Sequence, residues 1–264
     1  MSSINNKGIK IAVSGKGGVG KTTISVLLAY NFVNKGKKVF LIDSDPDENT
    51  GLSLGLTPDE ISKITPIIEL KNIIEERTES KLNSGLFKLN PKVDDIPDKF
   101  SYEKNGVKLL VMGTVKQAGG GCMCPENTFL KTLLQHLIIT RDEIVILDMV
   151  AGIEHLGRGT AMGVNCFLII VEPTLKSLIT SNKIKELIEQ INIKKYFFIA
   201  NKIHNKSDID FLKNNIDENK ILSFIPFISE LTELEKGSKS LIISDIYSFF
   251  TPYINEIISK LTYF

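Results

Sequence analysis

The sequence predicts an α/β fold, a mostly parallel twisted sheet flanked by helices on both faces. Three observations carry the prediction. Short β-rich runs alternate along the chain with segments of helical period. The runs are continuously apolar, as strands covered on both faces are. The first of them leads through a glycine-rich loop directly into a helical pattern.

In chain order, the predicted strands are residues 9–14, 37–42, 107–112, 143–147, 166–171, 196–200 and 221–225. Helical patterns lie between most of them, over 22–35, 127–139, 175–191 and 208–215. Thr57-Pro58-Asp59-Glu60 supplies an N-cap, a first-turn proline and a capping-box glutamate, so a short helix starts there. Residues 80–105 are polar, carry Pro91 and Pro97 and keep no sustained period. They read as a surface excursion inside one domain spanning 1–264. Residues 241–264 set Ile, Phe and Tyr at helical spacing, with Thr251-Pro252 as a restart. This segment lacks the basic face of a membrane-surface helix, so it reads as packing against the sheet.

Composition narrows the class. A chain of 264 residues can bury one large core or two small ones. A formal charge of +1, with lysines and acids interspersed, gives no sign of a nucleic-acid surface. A short polar leader runs straight into the first strand with no signal-peptide core, and no apolar run is long enough to cross a bilayer. Three cysteines make no disulfide framework. The expectation is a cytoplasmic protein with reduced thiols and neither nucleic acid nor membrane as partner.

The strongest motif is GKGGVGKTT: Gly15, Lys16, Gly17, Gly18, Val19, Gly20, Lys21, Thr22 and Thr23. It satisfies G-x-x-x-x-G-K-[ST] between a strand and a helix. The glycines let successive backbone N–H groups turn around phosphate oxygens, and the helix N-terminus adds a favourable dipole. Lys21 is expected to reach the β- and γ-phosphates, and the Thr22 hydroxyl to bind Mg²⁺. The same letters satisfy G-x-G-x-x-G, with Asp43 as a ribose acid. Dinucleotide binding has no use for Lys16, Lys21 or Thr22, whereas a nucleoside triphosphate uses all three. The phosphate loop is the reading.

Lys16, at the second position of the loop, marks the deviant Walker A group, and the motif resembles MinD, ParA and the nitrogenase iron protein. The resemblance implies an ATP-linked homodimer in which this lysine crosses to the γ-phosphate of the partner subunit. In LIDSDPD (41–47) it implies that Asp43 sits near the metal and that Asp45 orients or deprotonates the attacking water. EIVILDMVAG (143–152) ends its strand in Asp148, as a Walker B strand does, and Gly152 opens a second switch. Any one of these aspartates taken singly would read as a cap or turn. Asn201-Lys202 suits adenine contact, and Pro226 either packs on the base or simply ends a strand. A GTPase favours Asn-Lys-x-Asp, but position 204 is His204, so ATP is the expected nucleotide.

GGGCMCPEN (119–127) spends two of the three cysteines. Cys122 and Cys124 precede a helix starting near Pro125, and a helix N-terminus favours the thiolate. They read as soft-metal ligands or reactive thiols, while Cys166 inside an apolar strand reads as a small buried hydrophobe. One C-x-C supplies two sulfurs, so a four-sulfur site needs two copies of the chain. The nitrogenase iron protein carries D-x-x-C-G in its second switch; DMVAG has Ala151 there, so a bridging iron–sulfur cluster loses half its ligands.

The whole pattern resembles the CooC family of nickel-insertion accessory ATPases for carbon monoxide dehydrogenase. GKGGVGKTT, IDSDPD, GGGCMCPEN, DMVAGIEHLGRGTA and FKLNPKVDDIPDKF carry the resemblance. It implies that Cys122 and Cys124 of two subunits bind Ni²⁺, or Zn²⁺, at the dimer interface. ATP hydrolysis then controls release of the metal to carbon monoxide dehydrogenase or acetyl-CoA synthase. Glu154 and His155, after the second switch, are left out of the ligand set. Two other outcomes stay open: a positioning switch of the MinD/ParA kind, and electron transfer through an iron–sulfur cluster.

Overall fold

The computed structural model describes residues 8–44, 50–80, 86–113, 124–149, 163–191, 193, 195–231, 241–242 and 245–262. Among these, the strands are β1 (Lys10–Gly15), β2 (Val39–Asp43), β3 (Tyr102–Lys104), β4 (Val107–Val111), β5 (Ile144–Asp148), β6 (Cys166–Val171), β7 (Tyr196–Ile203) and β8 (Ile221–Pro226). They form one sheet in the order β3-β4-β2-β5-β1-β6-β7-β8. Every neighbouring pair is parallel except β3–β4. All seven predicted strands are present.

The apolar runs explain the layering. Along β1, β2 and β5, successive side chains enter two different cores: Ala12, Phe40, Ile42, Val145 and Leu147 on one face, Ile11, Val13, Val39, Leu41, Ile144 and Ile146 on the other. The first face is covered by α6 (Pro125–Gln135), α7 (Leu175–Gln190) and α8 (Lys206–Asn215) through Phe129, Leu133, Ile184, Ile188 and Leu212. The second is covered by α1 (Lys21–Asn34) and α9 (Asp245–Thr262) through Ile24, Leu27, Leu28, Phe250, Ile254 and Ile257. This is the two-sided α/β architecture the sequence predicts.

Short helices α2 (Thr50–Ser53), α3 (Pro58–Ile61), α4 (Lys71–Thr78) and α5 (Ile96–Phe100) fill the stretch between β2 and β4. Thr57 caps α3 as expected: its hydroxyl accepts from the Glu60 N–H at 3.2 Å, and the Glu60 carboxylate accepts from the Thr57 N–H at 2.8 Å. The stretch over 80–105, expected as a surface excursion, holds α5 and β3. Pro97 sits in the first turn of α5, where its missing N–H is harmless. Asn105 and Gly106 both take positive φ (51° and 77°), the two-residue turn that folds β3 back on β4. Arg77 pins the excursion with a two-pronged bond to Asp95, at 3.1 and 2.9 Å.

The expected restart at Thr251-Pro252 does not occur; α9 runs through Pro252 without a break. An interior proline costs about 3 kcal/mol. Phe250, Ile254, Ile257, Ile258 and Leu261 are buried on both sides of it, and each contributes roughly 1.5–3 kcal/mol. Burial wins. No described helix is long and apolar enough to cross a membrane.

Candidate nucleotide-binding site

The carboxyl ends of the central strands gather most of the predicted site residues. β1 ends at Gly15, and the loop that follows turns over its own buried Val19 into α1. Gly15 is required because a Cβ there would lie 2.5 Å from the Ile170 carbonyl oxygen of β6. Gly20 is required twice: its φ is 97°, and a Cβ would lie 2.5 Å from Asn201 Nδ2. Gly17 and Gly18 are exposed, and among the described residues nothing lies within 4 Å of a Cβ built on either, so the described structure leaves the outer side of the loop open.

Among the described residues no side chain caps the N-terminus of α1, and its first turn carries no acid. Its free N–H groups and positive dipole end face the loop, where they suit an anion. Lys21 is buried at this point, 7% exposed, beside half-buried Thr22 and buried Thr23. Among the described residues no carboxylate is paired with Lys21. A buried ammonium beside free helix N–H groups and a loop with open glycines fits a polyphosphate.

β7 braces the loop from its far side. Asn201 Nδ2 donates to the Val19 carbonyl at 2.8 Å, and Lys202 Nζ to the Gly18 carbonyl at 2.6 Å. The β7–β8 ladder is irregular between Ala200 and Ile203, and within that irregularity Lys202 takes φ 59°. Pro226, expected just past its strand, is the last residue of β8 and stands opposite Ile203.

Asp43 and Asp148 end β2 and β5 and face each other in register. Their parity matches Leu41 and Ile146, so both point to the α1 side of the sheet. Asp43 is 1% exposed and Asp148 0%. Thr50 Oγ1 donates to Asp148 Oδ2 at 3.4 Å. Two buried carboxylates and the Thr22 hydroxyl are hard oxygen donors of the kind Mg²⁺ takes together with phosphate oxygens. Asp45 lies outside the described residues, as do Ala151, Gly152, Glu154 and His155.

Cys124 is the N-cap of α6, its Sγ accepting from the Asn127 N–H at 3.4 Å. It is half-buried; Cys122 lies outside the described residues. Among the described residues no three His, Cys, Asp or Glu side chains gather as a metal site. Cys166 is buried in β6, and burial pushes its thiol up to about 12.

The residue that motif reading passed over is Glu172, whose carboxylate lies 3.3 Å from Lys16 Nζ. The signal was its place directly after the apolar run CFLIIV, which forms the strand beside β1.

A model of the CobQ/CobB/MinD/ParA nucleotide-binding domain matches residues 10–241. The chain belongs to this family. As a CobQ/CobB/MinD/ParA-family protein it is an ATP-binding P-loop ATPase of the deviant Walker A type. It is 42% identical over 233 residues to the carbon monoxide dehydrogenase accessory protein CooC of Rhodospirillum rubrum, covering 88% of this chain and 89% of the relative. It is 45% identical over 232 residues to an ATP-binding protein of Methanocaldococcus jannaschii, covering 86% and 88%. The septum site-determining protein MinD of Bacillus subtilis is 29% identical over 197 residues, covering 74% and 65%. Among solved structures, a ParA family ATPase from Chlorobium tepidum superposes with a TM-score of 0.68 at 16% identity, over 94% of this chain and 98% of that one. MinD of Aquifex aeolicus gives 0.65 at 19% identity, over 96% and 97%. The structural likeness establishes the family fold.

Proposed function

We propose that this ATPase is a nucleotide-driven dimerisation switch whose cargo is nickel, delivered to carbon monoxide dehydrogenase or a related enzyme such as acetyl-CoA synthase. The switch is the part with the broader support, since the family match and the fold of MinD and ParA both favour it. The nickel is the finer part. The observation that carries it is the 42% identity to CooC across nearly nine-tenths of both chains, against 29% to MinD over a smaller share.

In this reading the backbone from Gly15 to Thr23 cradles the phosphates and Lys21 neutralises them. Lys16 reaches the γ-phosphate held by the partner subunit. Thr22, Asp43 and Asp148 hold Mg²⁺ directly or through water, and Asp45 prepares the attacking water. Asn201, Lys202 and Pro226 border the adenine. Cys122 and Cys124 of each subunit supply two thiolates, so two subunits complete a four-sulfur site for Ni²⁺. Thiolates bind Zn²⁺ strongly as well, so selectivity lies in geometry and supply rather than in affinity. Coupling the site to a two-state dimer gives the protein a means of letting the metal go.

Anaerobic titration with Ni²⁺, following thiolate-to-metal absorbance and oligomer mass, tests this. One nickel per dimer is expected, lost in the Cys122→Ala/Cys124→Ala variant while ATP still binds. Metal binding that survives loss of both cysteines overturns the site. Absence of metal binding together with ATP-dependent pelleting on liposomes or DNA would instead favour the positioning type of switch.

A further inference from the structure

The carboxyl edge of the sheet holds an acid that phosphate binding does not require. Glu172 follows β6, which pairs with β1 through Gly15 and Ile170, so it stands beside the phosphate loop. Its Oε1 is 3.3 Å from Lys16 Nζ and its Oε2 is 3.9 Å from Lys202 Nζ. Lys202 also donates to the Gly18 carbonyl at 2.6 Å, from a left-handed backbone that is strained for a lysine. One carboxylate therefore ties together both sides of the loop.

Glu172 is itself fixed by the start of α7. Thr174 Oγ1 donates to Glu172 Oε1 at 3.3 Å, and the Glu172 N–H donates to Ser177 Oγ at 3.1 Å. Thr174 in turn caps α7 by accepting from the Ser177 N–H at 3.2 Å. The carboxylate is 17% exposed, whereas the Lys16 and Lys202 side chains are 35% and 38% exposed. The acid is the more buried partner and is held by the start of α7, and the two ammonium groups are the more exposed ones.

We propose that Glu172 is a latch that positions Lys16, and with it Lys202, against the chain's own loop until a triphosphate-bound partner subunit draws Lys16 away. This rests on the reading of Lys16 as a ligand of the partner's γ-phosphate. One ammonium cannot serve the carboxylate in its own subunit and a phosphate across the interface, so the two compete. A half-exposed ion pair is weak, and breaking it changes an equilibrium by about fivefold at most. The latch therefore sets the ATP concentration at which subunits pair, without blocking pairing. It also neutralises the lysines around the loop while no phosphate is present.

Glu172→Gln in the full chain tests the latch, because the amide oxygen still accepts from Thr174 and the start of α7 is kept. The first readout is the acetic anhydride labelling of Lys16 in nucleotide-free protein, mapped by mass spectrometry against exposed Lys92. The second is the ATP concentration for half-maximal dimer mass with Mg²⁺. In E172Q, Lys16 labelling is expected to rise about fivefold relative to Lys92, and the dimerisation midpoint to fall by about the same factor. A merely structural role would raise labelling throughout and weaken pairing. Unchanged Lys16 labelling overturns the latch, and so does raised labelling with an unmoved midpoint. If the wild type does not dimerise with ATP, the reading of Lys16 across the interface falls, and the labelling alone decides whether Glu172 holds it.

Discussion

Asp43 and Asp148 stand opposite each other at the ends of β2 and β5, fully buried and on the same face of the sheet. In the proposed reading these two acids, with the Thr22 hydroxyl, hold Mg²⁺ together with the nucleotide.

On the proposed reading, Asp148→Asn is expected to lose most of the Tm rise that Mg²⁺-ATP gives the wild type, and ATP turnover should fall on the order of 100-fold. Differential scanning fluorimetry with and without Mg²⁺-ATP, alongside a phosphate-release assay, checks both. A variant that keeps its full Mg²⁺-dependent rise in Tm would remove Asp148 from the site.

Gly20→Ala is expected to destabilise the fold by about 1–3 kcal/mol, since it combines a positive φ with a Cβ pressed on Asn201 Nδ2. Displacing Asn201 also breaks its bond to the Val19 carbonyl, so nucleotide affinity should drop together with stability. Gly17→Ala meets no neighbour among the described residues and should leave stability nearly unchanged. Urea titrations of the two variants make the comparison.

Asp98 supplies a pH dependence that can be isolated. Hydrogen bonds from Arg141 and then Lys108 lower its carboxyl from an ordinary 3.8 to about 2. A depressed carboxylate contributes its stabilisation in full above its unfolded value and loses it as the pH falls through its folded one. Asp98→Asn should therefore show a shallower loss of stability between about pH 4 and pH 2. The side chain is 47% exposed, so the difference stays below about 1 kcal/mol. Chemical denaturation at stepped pH measures it, and parallel curves for the two proteins would remove this role.

Cys166 should not react with N-ethylmaleimide in the native protein at pH 8, because its thiol lies near 12 and is buried. Cys124, half-buried at the start of α6, should be modified. Mapping the adducts by mass spectrometry before and after unfolding distinguishes them.

The strands were legible because both faces of the sheet are covered and each strand is an unbroken apolar run. The phosphate loop was legible because its chemistry is local, with spacing, glycines and helix start all within nine residues. What was hidden depended on partners distant in sequence. β3 reads as Tyr-Glu-Lys, with no alternation to mark it, and only the Asn105-Gly106 turn announces its hairpin. Pro252 looked like a break because the buried stripe that overrides it exists only once α9 lies on the sheet. Glu172 is an unremarkable acid until β6 is set beside β1. Asp45 and Cys122, both named from motif alone, lie outside the described residues.

The sheet's two borders have a consequence for how the molecule behaves when crowded. On one side, β3 is three residues long and carries Glu103 and Lys104. On the other, Lys260 of α9 reaches over β8 to the Leu222 carbonyl at 2.5 Å, and Glu256 accepts from the Ser223 hydroxyl at 2.6 Å. A short charged strand at one margin, and at the other an ammonium group seated on an edge-strand carbonyl, both hinder a neighbouring copy from adding a strand. Strand-by-strand polymerisation of the kind that builds fibrils meets an obstacle at each margin, even though the strands themselves are as apolar as many that form them.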